Sequence, residues 1–347
     1  MSFSKLTNLL DLTEIRTHIA QYLSVKDAIS CVRVSKEWSK DFVHRIWHTV
    51  DFDVHVDFDN ISTDIVMKHG DHIRSVKNIK KVSHIKSLSC DSVSRIFDLE
   101  IYIDWTSSLN ALSSDLIFRN NTSLTSLVVQ DPFEPPDALS QWYFSVNPLI
   151  PRAAAQSKLT RLNIGGVYLT RESFVLLLRE CISLVTLEIW ETKLDSGTAF
   201  GQYQHYGIKE LRATPELVTG AASGLSTNSP LFTHFPNLEK WLTFVYQTDS
   251  VQDISDGVGQ WWPKLREINT NYSEGAIVAD LLANIYRPLT SITVHYSAVS
   301  SNFVHAVLLH QEALQNIATY TGDGDSDNEG DMGIGHLQEV NDHFRDS

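Results

Sequence analysis

Fourteen histidines offer ample imidazole for metal ligation, and His69 with His72, spaced i, i+3, comes nearest to a ligand pair. No Glu or Cys completes a zincin or finger pattern around them, so the expectation is solvated or capping histidines. A denser set of candidate ligands lies in GDGDSDNEGDMG, Gly322 to Gly333, with five acidic and no basic side chains. Counted from Asp325, the residues Asp327, Glu329 and Gly330 fit calcium-loop positions three, five and six. Position twelve is His336 where a bidentate Glu is needed, so the segment reads as a flexible acidic loop, too charged to order itself. Cys31, Cys90 and Cys181 are too far apart for a disulfide framework or a Cys-x-x-Cys knuckle and read as buried thiols. No Gly-x-Ser-x-Gly, phosphate-loop or Gly-x-Gly-x-x-Gly pattern occurs. The expectation is a non-enzyme without cofactors or metal.

The elements that would position any site are those of an ordinary globular chain. Of 347 residues, 42% are hydrophobic and 20% charged, which excludes a fully disordered or fibrous chain. A formal charge of −14 disfavours a binder of nucleic acid or anionic membrane. The longest wholly apolar run is Phe174 to Leu178, far short of the roughly 20 residues that span a bilayer. With no basic start followed by an apolar stretch, residence in the reducing cytoplasm or nucleus is expected.

Residues 1 to 50 differ from the rest in charge and in period. They hold seven basic and five acidic side chains, against a strong acidic excess beyond. Leu12, Ile15, Ile19, Tyr22 and Leu23 recur at helical spacing, Ser24 with Asp27 forms a capping box before Ala28, Cys31, Val32 and Val34, and Ser35 caps a third segment carrying Trp38, Phe42, Ile46 and Trp47. Three such short helices bury little alone and need a partner or an adjoining domain.

Residues 12 to 52 resemble an F-box. Leu12, Glu14, Ile15, Ile19, Leu23, Asp27, Cys31, Val34, Trp38 and Trp47 stand at matching positions, whereas Thr13 stands where the family usually has Pro, and Ala28 where it has Leu. The resemblance implies docking to the adaptor subunit of an SCF-type ubiquitin ligase. On it, Leu12, Glu14, Ile15, Ile19, Leu23, Val34, Trp38 and Trp47 either contact the adaptor or form the core supporting the contact.

Beyond residue 95 a unit of the form apolar-x-x-apolar-x-apolar returns nine times, from Ile96/Leu99/Ile101 to Leu314/Ile317/Thr319, at intervals of 24 to 35 residues. Ile73, Val76 and Ile79 make an irregular earlier match. Helical patterns lie between the units at Ser173 to Cys181, Ala276 to Tyr286 and Asn302 to Leu314. A strand and a helix repeated at that interval must stack on their neighbours to bury an apolar face. The array resembles leucine-rich repeats, with small polar groups at the ninth position (Thr192, Ser273, Ser297) and Val167 departing from them. Asp131 to Pro151, rich in proline, reads as a surface excursion, and Leu337 and Val340 begin what looks like a tenth unit.

The expected fold is therefore an α/β solenoid: a three-helix F-box at 1–50, a connecting region with an irregular first repeat at 51–95, and a leucine-rich-repeat horseshoe at 96–347 with parallel strands inside and helices outside. In each unit positions one, four and six enter the core and two, three, five and seven face solvent. That alternation puts Glu188, Trp190, Arg212, Leu242 and Phe244 on the concave face as the expected substrate-protein site. If the register slips around 238–244, the aromatic residues there are core instead. The implied function is substrate recognition for the ligase; the alternative is an interaction scaffold whose F-box-like helices only cap the array.

Overall fold

The computed structural model describes residues 10, 12–102, 107–130, 146–150, 156–166, 168–190, 193–194, 203–213, 234–244, 258–271, 275–285, 287–295 and 301–320. The chain divides into two compact units, Met1–Pro136 with Asn147–Leu159 and Asp137–Val146 with Thr160–Ser347.

The first unit begins with α1 (Thr13–Ala20), α2 (Val25–Val32) and α3 (Lys36–Trp47). Ser24 and Ser35 cap α2 and α3, their hydroxyls accepting from the amides of Asp27 and Trp38 at 3.2 Å, which satisfies amides that have no partner within the helix. The helices meet through two alanines, one aromatic ring and a charged pair. Ala20, Ala28 and Phe42 are fully buried, and Arg16 of α1 donates through Nε to the Asp41 carboxylate of α3.

Four parallel strands follow in chain order: β1 (Thr49–Asp51), β2 (Ser75–Ile79), β3 (Asp98–Tyr102) and β4 (Ser126–Gln130). Parallel neighbours need crossovers, here α4 (Thr63–His69), α5 (Val82–Ser87) and α6 (Ser107–Asn120). The strand ladder thus starts at Thr49, at the end of the 1–50 segment expected to be wholly helical, and runs on through the 51–95 region expected to be irregular. Its irregularity has a local cause: the register between β2 and β3 shifts between Val76 and Ile79, where Asn78 adopts a φ of 60°. Asparagine tolerates that left-handed conformation better than most residues, and its Nδ2 donates to Asp51 at 2.9 Å. The extra residue leaves Ile73, Val76 and Ile79 all fully buried despite their three-by-three spacing.

The second unit continues the pattern with β5 (Arg161–Gly165), β7 (Thr186–Trp190), β9 (Glu210–Ala213), β10 (Lys240–Phe244), β11 (Glu267–Asn271), β12 (Ser291–His295) and β13 (Asn316–Tyr320), each parallel to the next. Two short strands, β6 (Tyr168–Leu169) and β8 (Lys193–Leu194), pair separately. The described helices of this unit are α7 (Arg171–Glu180), α8 (Val258–Trp261), α9 (Gly275–Ala283) and α10 (Ser301–Leu308). Both units have the architecture of an α/β solenoid.

Positions one, four and six of the repeat are the core, from Ile96, Leu99 and Ile101 through Leu289, Ile292 and Val294, all within 2% of complete burial. Backbone bonding joins successive turns at one recurrent point. The carbonyl of Arg74 accepts from the amides of Phe97 and Asp98, that of Phe97 from Thr125 and Ser126, that of Val185 from Lys209 and Glu210, and that of Arg266 from Thr290 and Ser291. Each turn therefore fixes the height at which the next strand begins.

Side chains close a second set of contacts where a helix or loop ends before a strand. Asn120 accepts from the Ile96 amide at 2.9 Å and donates to the carbonyls of Leu116 and Val93. His205 does the equivalent work in the second unit, Nδ1 accepting from the amides of Gly207 and Ile208 and Nε2 lying 3.1 Å from the Cys181 carbonyl. His310 likewise accepts from Leu289 and approaches the Leu282 carbonyl at 3.0 Å. In each imidazole Nδ1 accepts and Nε2 carries the hydrogen, and burial pushes the pKa down, so both rings are held neutral.

The positions Thr192, Ser273, Ser297 and Val167, the acidic run Gly322 to Gly333, the tenth unit at Leu337 and Val340, and most of Asp131 to Pro151 lie outside the described residues.

Candidate functional site

Two surfaces collect the residues expected to bind partners, one in each unit. In the second unit the open face of the sheet carries a polar network built across three strands. Glu188, at the middle of β7, is buried, and its carboxylate takes Arg161 Nη2 of β5 at 2.8 Å, Asn163 Nδ2 of β5 at 3.0 Å and Arg212 Nη1 of β9 at 3.5 Å. The register explains the grouping, since Asn163 pairs with Glu188 and Glu188 with Arg212. A carboxylate shared by two guanidiniums leaves one net positive charge, each guanidinium meeting it through a single nitrogen.

Trp190 extends this network. Its indole N–H donates to Asn163 Oδ1 at 3.0 Å, and its ring lies over Gly165, where an added Cβ would stand 2.3 Å from Cε2. Gly165 is required at this place because any side chain would displace the indole. Leu242 is half-buried on the same face, paired in register with Arg212 on one side and Asn269 on the other. The register does not slip around 238–244: Trp241 is fully buried, stands opposite Leu211, and packs edge-on to Trp262 at 5.1 Å. Phe244 ends β10 opposite Asn271, and its side chain lies outside the described residues. Arg161 and Asn163, which spacing alone did not single out, complete the cluster. Their signal in the sequence was their place at positions three and five of the unit beginning at Leu159.

In the first unit, the residues matching the F-box pattern fall into two groups. Leu12, Ile15 and Val34 are 41%, 37% and 62% exposed, and Glu14 is exposed beside them in sequence. Ile19, Leu23, Trp38 and Trp47 are half-buried. Trp38 stacks on Phe42 at 5.3 Å, and Trp47 stacks on His69 at 5.1 Å and meets Phe58 edge-on. Both tryptophans therefore serve packing within the unit. Thr13 is the first residue of α1, the helical position that best tolerates proline, and its hydroxyl accepts from Arg16 Nη2 at 3.2 Å.

His69 and His72 lie 6.3 Å apart between ring centroids with His69 against Trp47; burial lowers the His69 pKa. Among the described residues no group of three or more His, Cys, Asp or Glu is placed to hold a metal ion, and no helix is long and apolar enough to cross a membrane.

No family model matches the chain. No curated protein matches it either. Among solved structures, the crystal structure of a Bacteroides fragilis protein is similar at 12% identity over 76% of this chain and 74% of its own, with a TM-score of 0.42. A likeness of that size carries no argument about function, which is left to the residues themselves.

Proposed function

We propose that the chain is the substrate-recognition adaptor of a cullin-RING (SCF-type) ubiquitin ligase, residues 1–50 acting as an F-box toward the adaptor subunit and the open sheet face of the second unit receiving the protein to be modified. The observation that carries the reading is the exposure of Leu12, Ile15 and Val34, three branched apolar side chains at F-box-matching positions that the fold leaves in water. Leu12 and Ile15 stand one helical turn apart at the start of α1, and contiguous exposed apolar side chains mark interaction surfaces. The mechanism is proximity: holding a substrate lysine beside the charged conjugating enzyme raises its effective concentration, with no bond made or broken by this chain. On the sheet face, Trp190 supplies a rigid aromatic anchor and Arg161 and Arg212 supply oriented donors around it.

Co-purification of the full chain with the ligase adaptor subunit tests the reading, with Leu12→Ser, Ile15→Ser and Val34→Ser combined as the control. A stable complex that the triple variant loses supports the F-box assignment. A folded chain that forms no complex supports instead a plain interaction scaffold, the reading favoured by Thr13, whose hydroxyl holds Arg16 where the family usually has Pro.

A further inference from the structure

The first unit contains an apolar cavity of about 360 Å3 that is distinct from the exposed residues of α1. Its walls are Val25 and Ile29 of α2, Ile46 and Trp47 at the end of α3, and the segment from Val54 to Ile61 that follows β1. At its margin Val54 and Val56 are 70% and 69% exposed. Those two wall residues carry the apolar lining out onto the surface, where a polypeptide lying across the opening would cover it.

The backbone excludes one way of binding. β1 is the edge strand of its sheet, and a peptide strand adds to such an edge through free amides and carbonyls. His48 O and the Phe52 amide bond toward β2, so by alternation Thr49 and Asp51 turn outward. The Asp51 amide donates to His55 Nδ1 at 3.0 Å, and the Asp51 carbonyl accepts from the amides of Val54 and His55. The turn over residues 51–55 thus occupies the edge at Asp51, leaving an added strand only Thr49 to bond. What remains is recognition through side chains, as an amphipathic helix provides with apolar residues at i, i+3 or i+4, and i+7.

Charge selects among such helices. Between Arg45 and Lys68 the chain has Asp51, Asp53, Asp57, Asp59 and Asp64 and no Lys or Arg. Asp51 accepts from Asn78 and Asp53 is paired with Lys80, whereas Asp57, on the cavity wall and exposed, has no ion pair among the described residues. Lys26 of α2 and Arg33, which follows its last residue, do not line the cavity. We propose that this cavity is a docking groove for a cationic amphipathic helix of a partner protein, its apolar stripe seated between α2 and the 54–61 segment and its Lys or Arg residues beside Asp57.

The test uses the full chain and a fluorescein-labelled Leu/Lys peptide of about 14 residues, four helical turns, with leucines on one face. A Leu/Glu peptide of the same pattern and a Leu/Lys peptide with the stripe scrambled are the controls, all read by fluorescence anisotropy. The striped Leu/Lys peptide is expected to bind, the two controls at least about tenfold more weakly. Val54→Ser with Val56→Ser is expected to cost about tenfold, with circular dichroism unchanged because both side chains are already exposed. Leu12→Ser with Ile15→Ser is expected to leave binding as it is. Equal binding of the striped and scrambled peptides, no effect of the valine variant, loss of binding in the α1 variant, or no binding at all would each overturn the proposal. None of these outcomes depends on the ligase reading, which stands or falls on the adaptor complex.

Discussion

The helical segment Thr13–Trp47 and the repeats of the second unit place their apolar side chains in opposite ways. In the helices the buried contacts are few, Ala20, Ala28, the aromatic Phe42 and the pair Arg16 with Asp41, while Leu12 before them and Ile15, Ile29 and Val34 remain exposed. In the repeats Leu187, Leu211, Ile268 and Ile292 are buried to within 1%, and the exposed face carries the polar network around Glu188. The repeats complete one another, because each turn covers the apolar edge of its neighbour. The helices spend their apolar residues on a surface that their own fold does not cover. The helical segment thus leaves apolar area in water, whereas the repeats leave hydrogen-bonded polar groups there.

The contrast can be broken first at the repeat core. Leu211→Ala removes a fully buried side chain from a packed strand and is expected to cost about 2–5 kcal/mol in denaturant unfolding, whereas Ile15→Ala, already in water, should change stability by less than about 0.5 kcal/mol. Equal losses would end the comparison. Next is the helix contact. Arg16 and Asp41 have side chains only 5% and 10% exposed, so Arg16→Ala leaves a buried carboxylate without its cation, and a loss of about 3 kcal/mol is expected for the helical segment. Hydrogen exchange of the α1 and α3 amides localises it.

A smaller effect separates Asn120 from His205, which fill equivalent junctions. The His205 pKa is lowered from 6.5, first by burial, so the folded ring stays neutral where the unfolded one takes a proton. Above about pH 6.5 its contribution is complete; as pH falls below that value the unfolded chain binds the proton first and stability is lost. The Ile208 amide, held by His205, should therefore exchange faster at pH 5.5 than at pH 7.5 after correction for the intrinsic rate. The Ile96 amide, held by the amide side chain of Asn120, should lack that local response, and His205→Asn should flatten the response at Ile208. The smallest change expected is in the stability of Val34→Ser, within about 0.5 kcal/mol, which makes it a clean probe of adaptor binding.

Particular residues show how far the sequence reaches. The triads from Ile96 to Val294 could be read directly because burial of positions one, four and six follows from strand alternation, a property of the backbone. Ser24 and Ser35 were legible as caps for the same local reason. Ile73, Val76 and Ile79 looked irregular because their spacing conceals a bulge, and nothing short of the Asn78 conformation reveals it. Trp38 and Trp47 illustrate the opposite limit. Helical spacing puts them on an apolar face but does not say whether that face meets Phe42, Phe58 and His69 or an external partner.

The periodicity of about 26 residues and its apolar triads thus determined a parallel, stacked α/β architecture, since no other arrangement buries so regular a pattern. The grouping of Arg161, Asn163, Glu188 and Arg212 depended on strand register, which joins residues about 25 positions apart. The pairing of Arg16 with Asp41, and the neutral junction roles of His205 and His310, depended on which side chains were brought together away from water. Local sequence sets the period of an element; only the packed chain decides which charges share a site and which apolar surfaces are left open.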